Sequence, residues 1–513
     1  MMKNEMTRPE HFCILPWINQ EARTNGEIGV CCVMQETAPG INLADGHTLK
    51  DAWDSEWLAN LKADFLAGKK PKSCYNCWNE EDAGIESKRL RELKKFPHHL
   101  DNLEHTKPKS MDLKLGNICN TKCRICTGFA SSQWVPEEIE RDGDTNQFAH
   151  LMGRLGRWPE LNEKFWDDIE NQIEEVESLE FFGGEPFLIK RHFDILQTLV
   201  DKGRAKEITL SYNTNGSIYP EQHMDLLKEF KDVQVFFSID GVDERFNYIR
   251  HPQQFDEVME NYWKFKNTDF IRTNVFYTVS IFNVMYMDEL LKYDAENNLD
   301  GEIHFNMVYV PQHISPKALP TKVKEVITEK FRGNNDPRIQ STLNFMNQEN
   351  YEGYMDEFVR QTSFSDKYRN ESLADTFPEL WTYMEPYFTT KSQGAMELMG
   401  TMDKIKLLDK HDKIMEDAVK NYSGRIVKNT GDGILAVFDG PVRSIECAKV
   451  SIENMKNIGL DIRCSLHVGE IVWRNEDITG LAVNIASRIL DRCESGNVVI
   501  SKNLRDLLGR SEF

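Results

Sequence analysis

Three cysteines fall in one short stretch, Gly116-Asn117-Ile118-Cys119-Asn120-Thr121-Lys122-Cys123-Arg124-Ile125-Cys126-Thr127, spaced C-x3-C-x2-C. No fourth cysteine and no histidine stands close by. A closed zinc site takes four ligands, usually in two pairs, and a [4Fe–4S] cluster also takes four thiolates. Three thiolates leave one iron open, which suits a cluster that binds a substrate. A second chemical motif is Leu179-Glu180-Phe181-Phe182-Gly183-Gly184-Glu185-Pro186, an apolar run entering a tight turn. Gly183 and Gly184 let backbone approach a ligand closely. The Glu185 carboxylate accepts hydrogen bonds from a cation such as an ammonium, and Pro186 removes a donor and ends the strand.

These residues need elements to position them. Residues 110–115 alternate like a strand and end at Gly116, so the cysteines sit on a loop at a strand's C-terminal end, where α/β barrels place their chemistry. Between about 108 and 310 the chain has six strand-like runs: 111–115, 179–182, 208–213, 233–239, 275–281 and 302–310. Helical patterns such as 190–202, 222–230 and 256–265 separate them. Alternating strand and helix implies parallel βαβ units, hence an α/β domain with a partial barrel of six strands and helices. The gap 127–177 is too long for a plain loop and predicts an inserted helical segment. Residues 311–387 read as mostly helical. Asn213-Thr214-Asn215-Gly216 ends the third strand and Ser238-Ile239-Asp240-Gly241 the fourth, followed by Tyr248-Ile249-Arg250. Asn-Gly and Asp-Gly also serve as simple turns; their placement at successive strand ends favours a site. His98, His99 and His304 have no partner pattern and predict surface or core roles, and Phe236-Phe237 reads as core.

The chain has 513 residues, enough for about three domains. Its 40% apolar content allows sizeable cores. A net charge of −21 argues against general nucleic-acid or anionic-membrane binding, because phosphates are repelled. No basic N-terminal region with an apolar stretch and no run of transmembrane length appears, so a cytoplasmic location is expected. Of eleven cysteines, eight precede residue 127 and three follow residue 440. In a reducing compartment such clusters read as metal ligands before disulfides.

The cysteine triplet and the Gly-Gly-Glu-Pro turn together resemble the signature of the radical S-adenosylmethionine (SAM) enzymes. The resemblance implies that Cys119, Cys123 and Cys126 hold a [4Fe–4S] cluster. It implies that Gly183, Gly184, Glu185 and Pro186 receive the methionine amino group of SAM. Asn213, Asn215, Ser238, Asp240 and Arg250 match positions around the SAM ribose and carboxylate. The implied activity is reductive cleavage of SAM to a 5′-deoxyadenosyl radical that abstracts hydrogen from a peptide or other substrate, with a flavodoxin- or ferredoxin-type protein as reductant. The family usually has an aromatic residue before the third cysteine; here it is Ile125. Cys13, Gly26, Cys31, Cys74 and Cys77 resemble the auxiliary-cluster region called SPASM, or its shorter relative twitch, which implies a second [4Fe–4S] cluster; a four-cysteine zinc site is the alternative. Cys32 is a possible substitute for Cys31. The family usually places this region after the barrel, and here it comes first.

Residues 391–513 carry a different resemblance. Gly424 to Phe438 reads as a hairpin with a Gly431-Asp432-Gly433 turn, and Glu476 to Arg488 as a loop entering a helix. Together they look like a class III adenylate/guanylate cyclase domain, of α+β, ferredoxin-like fold. By resemblance Asp432 is one metal carboxylate for Mg²⁺ or Mn²⁺, Asn484 and Arg488 are the transition-state pair, and Lys428 and Asp477 read the base. Such sites form between two protomers, which implies a dimer partner. The match is incomplete: residues 387–391, where the first metal aspartate is expected, hold no acid, and the family's last strand would lie past Phe513. The expected organisation is an auxiliary cluster module with connector over 1–105, the barrel with a helical end over 106–390, and the incomplete cyclase domain over 391–513. The expected function is that of a radical SAM enzyme. One alternative is a nucleotide cyclase making cyclic AMP under Fe–S control in signal transduction; another is a silent ATP-binding scaffold.

Overall fold

The computed structural model describes residues 8–508 apart from 144–145, 300, 430–433, 458–461, 470, 475–476, 480, 491–492 and 494–495. Contacts divide the chain into two units, Met1–Tyr387 and Phe388–Phe513.

The first unit is built on one sheet of eight strands: β1 (Asn19–Ala22), β2 (Ile28–Gly29), β3 (Ser110–Leu113), β4 (Ser178–Phe181), β5 (Thr209–Thr214), β6 (Asp232–Ser238), β7 (Ile271–Val279) and β8 (Ile303–Met307). Their spatial order is β2-β1-β3-β4-β5-β6-β7-β8. Every neighbouring pair is parallel except the β1–β2 hairpin. The six expected runs are β3 to β8, an open α/β arrangement whose edges are β2 and β8. Alternation dictates the layering. On β6, Val233, Val235 and Phe237 are buried while Gln234, Phe236 and Ser238 are half-buried. The outer row packs under the helix Phe255–Lys266, with Tyr262 and Phe265 centred 5.0 and 5.4 Å from Phe237. Phe181, Tyr212 and Phe187 extend this aromatic layer. Each such fully buried ring stabilises the fold by roughly 1.5–3 kcal/mol. Phe236 does not share the core with Phe237, because consecutive strand residues face opposite sides; it stacks on Phe276 at 4.6 Å.

The 127–177 gap holds the helices Trp134–Asp142, Gln147–Leu155, Trp158–Leu161 and Glu163–Gln172. After β8 come Thr321–Lys330, Pro337–Gln348 and Met355–Arg369.

Residues 1–105 share a unit with the barrel and extend its sheet. β1 pairs with β3 from Asn19↔Ser110 to Ala22↔Leu113. The turn after β1 needs Gly26, whose φ is +83° and whose Cβ would stand 2.4 Å from Asn42 Oδ1 and 2.8 Å from Ala44 N. Phe12, Trp17, Trp53, Phe65, Trp78 and Phe96 form the core of this region. Its last helix, Lys88–Lys95, is tied to the sheet by charge. Lys88 Nζ lies 3.4, 3.6 and 3.3 Å from carboxylates of Glu92, Asp112 and Glu180, and Lys95 reaches Glu180 at 3.0 Å.

The second unit mixes helices and short strands: β9 (Arg425–Asn429), β10 (Ile434–Val437), β11 (Cys464–Leu466), β12 (Val472–Arg474), β13 (Asp477–Thr479) and β14 (Val498–Ile500). Among the described residues they form three pairings: β9–β10 and β12–β13 antiparallel, β11–β14 parallel. The helices Pro441–Lys456, Leu481–Leu490 and Lys502–Leu508 accompany them. Residues 388–391, where the cyclase resemblance places a strand, lie in the helix Pro378–Asn421. No helix among the described residues is long and apolar enough to cross a membrane.

Candidate active site

The loop that carries Cys119, Cys123 and Cys126 leaves the C-terminal end of β3 and is pinned throughout. Asn117 Nδ2 donates to the carbonyls of Gly128 (2.8 Å) and Met152 (3.3 Å). The Lys122 and Arg124 N–H groups donate to the carbonyls of His251 and Ile249 at 2.8 and 2.7 Å. Trp134 Nε1 donates to the Cys123 carbonyl at 2.9 Å. The buried Arg124 guanidinium lies 3.7 Å over the Tyr248 ring and pairs with Asp366 and Glu371 at 2.6 Å each.

The sulfurs share polar partners. Thr121 Oγ1 sits 3.2 Å from Cys119 Sγ and 3.4 Å from Cys123 Sγ. Asn215 Nδ2 faces Cys119 Sγ at 3.8 Å, and Arg250 Nη1 faces Cys123 Sγ at 3.7 Å. Asp240 aims that guanidinium: its Oδ2 accepts from Arg250 Nε at 2.6 Å and its Oδ1 from the Thr278 N–H at 2.7 Å. A hydrogen bond from Cys126 pulls the Cys123 thiol down to about 6; burial opposes this and Arg250 helps it. That same bond, then burial, holds the Cys126 thiol well above its usual range, and burial raises Cys119. Thiolate is the form that ligates metal, so a cation and an amide aimed at two sulfurs fit a site built for an Fe–S cluster.

The Gly183–Pro186 turn packs directly on this loop. The Gly184 N–H donates to Ala130 O at 3.2 Å and the Glu185 N–H to Ile118 O at 2.8 Å. Glu185 is fully buried. Its carboxylate accepts from Thr214 Oγ1 (2.8 Å), the Asn215 N–H (2.8 Å) and the Phe187 N–H (3.2 Å). Burial pushes its carboxyl up to about 7 against these donors. The sequence pointed to Glu185 as an acceptor for an ammonium; the structure also makes it the brace between this turn and the end of β5. A carboxylate has roughly four acceptor sites, so one stays open to a cation. Pro186 is buried at the start of a 3₁₀ turn, Pro186–Leu188. Asn213 and Ser238 are half-buried, Asn213 on β5 and Ser238 at the end of β6.

A cleft of about 270 Å³ opens beside the cysteines, lined by Asn120, Ser217, Gln253, Glu257 and Asn261 among others. Asn120 Oδ1 accepts from Asn215 Nδ2 at 2.9 Å, and Gln253 Nε2 donates to Asn215 O at 2.8 Å. Sequence reasoning missed Asn120, Thr121 and Gln253. The first two lie between the cysteines and were within reach; Gln253 carries no local signal.

Residues 113–293 match the family model of the Radical SAM superfamily. The matched segment contains the cysteine triplet, the Gly-Gly-Glu-Pro turn and the strand ends that meet them, so it is a radical SAM domain. Among curated proteins, the chain is 30% identical over 116 residues to "Putative adenylate cyclase 3" of Rhizobium meliloti (strain 1021), covering 21% of this chain and 20% of that protein. It is 23% identical over 118 residues to a serine/threonine-protein kinase of Myxococcus xanthus, covering 21% and 14%. The chain thus spans a fifth or less of these two relatives. Among solved structures it is similar to native anSMEcpe with bound AdoMet, at 20% identity over 44% of this chain and 60% of that one, TM-score 0.30. It is also similar to an adenylate/guanylate cyclase/hydrolase from Silicibacter pomeroyi, at 27% identity over 23% and 74%, TM-score 0.20.

Outside the radical SAM domain, Cys13, Cys31 and Cys77 lie in one buried core with Cys74 packed against it. Burial raises all four thiols, Cys74 to about 12. Cys31 belongs to that buried core, whereas Cys32 beside it is only partly buried. Asp432 lies outside the described residues. Lys428 is on β9, Asp477 on β13, and Asn484 and Arg488 are on the helix Leu481–Leu490; their side chains lie outside the described residues.

Proposed function

We propose that this chain is a radical SAM enzyme whose reaction is hydrogen-atom abstraction from a peptide or other organic substrate. One observation carries the reading: three cysteines on a single pinned loop, with Arg250 and Asn215 aimed at two of the sulfurs and the Gly183–Glu185 turn packed alongside. Cys119, Cys123 and Cys126 would hold the cluster. When bound, a [4Fe–4S] cluster supplies the low-potential electron that cleaves SAM and so yields the abstracting 5′-deoxyadenosyl radical. Asp240 orients Arg250, whose positive charge favours the ligating thiolates. Glu185 fixes the backbone of Asn215 and of its own turn, against which the amino acid end of SAM is expected. The half-buried inner row of Gln234, Phe236 and Ser238 leaves one face of the sheet for substrate. A reductant protein of flavodoxin or ferredoxin type is the expected electron donor.

The N-terminal cysteines Cys13, Cys31, Cys74 and Cys77 are proposed as the ligands of a second cluster. The pattern they follow and their shared core support this over four unrelated thiols. The test is anaerobic reconstitution, reduction with dithionite, and assay for 5′-deoxyadenosine. Cys123→Ser should abolish the product. Its absence from reconstituted wild-type protein, or its persistence in the variant, would overturn the assignment.

The 30% identity to a protein named as an adenylate cyclase favours a second reading for the C-terminal region, conversion of ATP to cyclic AMP. Cyclic AMP measured on the same sample separates the two activities.

A further inference from the structure

The cysteine loop occupies the C-terminal end of the parallel strands; a different donor cluster occupies the other end. Glu177 directly precedes β4, and its N–H donates to Lys109 O at 2.7 Å, just before β3. His98 and His99 close the 3₁₀ turn Pro97–His99 that follows the helix Lys88–Lys95. Sequence gave these histidines no partner, because Glu177 is 78 residues away from His99. In the fold His98 Nε2 lies 2.8 Å from Glu177 Oε2, and His99 Nε2 lies 3.2 Å from Glu177 Oε1. Ligand atoms of all three residues fall within 4.8 Å of one another, and among the described residues this is the one group of three or more His, Cys, Asp or Glu side chains that does so.

Two further observations separate this cluster from an ordinary ion pair. His99 Nε2 is buried and makes no hydrogen bond, because its approach to Glu177 is close but not aligned. His105 stands edge-on to His99 with ring centres 4.8 Å apart, and its Nε2 is likewise buried without a hydrogen-bond partner. Buried polar atoms are almost always satisfied, so two orphaned imidazole nitrogens beside one carboxylate point to a missing partner that accepts lone pairs. The nearby lysines do not supply it: Lys107 pairs with Glu174 at 2.6 Å and Lys109 pairs with Glu175. Donors bound at about 2.0–2.1 Å in a tetrahedron stand roughly 3.3 Å apart; the two histidine–carboxylate distances are 2.8 and 3.2 Å.

We propose that His98, His99 and Glu177 bind one divalent transition-metal ion of the zinc class, with the His105 ring packed edge-on against His99. The ion joins the segment after the N-terminal cysteine region to the floor of the radical SAM barrel, away from the SAM end. Nitrogen and carboxylate donors select Zn²⁺ or Co²⁺ over an Fe–S cluster, which takes thiolates.

The test uses the full-length protein with its cysteine sites already loaded with iron under anaerobic conditions. Dialysis against Zn²⁺ should add one zinc per chain without displacing iron. Co²⁺ should give d–d absorption without the thiolate-to-cobalt charge-transfer band. His98→Ala removes an exposed ligand and should leave the fold intact; zinc affinity should fall by more than the roughly 10–100-fold that loss of an outer-shell partner costs. Glu177→Gln, which preserves shape, should do the same, and iron content should be unchanged in both. His304→Ala, a histidine on β8, should keep the zinc. No added zinc in the wild type, equal affinity in His98→Ala, or a thiolate-type cobalt spectrum would each overturn the proposal.

Discussion

Glu185 spends its carboxylate on Thr214, Asn215 and Phe187, so its removal acts on the turn as well as on any ligand. Glu185→Gln places an amide NH₂ against these donors and leaves one buried group unsatisfied, at a cost of roughly 1–3 kcal/mol. Denaturant melts should register that loss, and SAM titration should show weaker binding; unchanged values would remove the brace role. The pH dependence has a definite sign. Burial pushes the folded carboxyl up to about 7, above the ordinary carboxylate value of about 4.5. The folded state therefore holds this proton more tightly, and the stability it contributes is full below about 4.5 and lost as pH rises through about 7. The Gln variant should flatten that part of the wild-type profile. Gly184 gives a sharper test. Its φ is +61° and a Cβ would lie 2.3 Å from Ile118 O, so Gly184→Ala must move the residue before Cys119. Gly203 has a φ of +71° but nothing within 4 Å; alanine there costs only the left-handed backbone, about 1–2 kcal/mol. Iron loading should drop in the first variant and hold in the second. The cysteines and the Gly-Gly-Glu-Pro turn were legible because their spacing is local. The contacts of Arg250, Asn215 and Gln253 were not, since each closes across 38 to 127 residues.

At the scale of elements, alternation exposed the six parallel strands, and the long gap before β4 announced its helices. The strand β1, paired on both sides, escaped notice: Asn19-Gln20-Glu21-Ala22 has no apolar alternation, yet all four residues are buried. Its polar side chains find partners outside the strand, although the buried amide oxygens of Asn19 and Gln20 have none. Asn19 donates to Val30 O at 2.8 Å, Gln20 to Leu49 O at 2.6 Å, and Glu21 pairs with Arg23 and Lys114. Burial opposes ionisation of Glu21, but those two cations hold its carboxyl below the usual range. A strand stabilised this way is invisible to a pattern of hydrophobics. The cysteine loop depends on a second non-local element, the end of the helix Met355–Arg369 and the turn after it. Arg124→Met removes the cation between Asp366, Glu371 and the Tyr248 ring while keeping volume. Breaking a buried pair from one side costs about 3–5 kcal/mol, and the low end applies because both acids retain some exposure. Thermal melts of the apoprotein should fall accordingly, and cluster retention during gel filtration should fall with them. A stable variant with full iron would show that the strap is dispensable.

At the scale of the whole molecule, two cysteine sets in one unit predict about eight irons per chain after anaerobic reconstitution. Replacing Cys119, Cys123 and Cys126 together with Ala should leave about four, still held by the N-terminal set. Zinc in their place, or no loss of iron, would remove the two-cluster reading. The second unit poses a separate question: it resembles class III cyclases, whose sites form between protomers. One protomer supplies both metal carboxylates, and the other supplies the base-reading and transition-state residues. By resemblance this chain keeps Lys428, Asp477, Asn484 and Arg488, but of the metal pair only Asp432. Residues 387–391 hold no acid, and residues 388–391 lie in a helix rather than a strand. Two ions at a triphosphate need both carboxylates, so two copies of this chain would hold metal poorly at either site. Pairing with an intact family member would place that partner's carboxylates opposite Asn484 and Arg488 and restore one site. The purified protein with ATP and Mn²⁺ should therefore make little cyclic AMP. Mixing it with a cyclase that lacks its own Asn and Arg should raise output above either alone. Strong output from the purified chain would mean that another residue supplies the first carboxylate, and it would make cyclic AMP synthesis an activity of this protein.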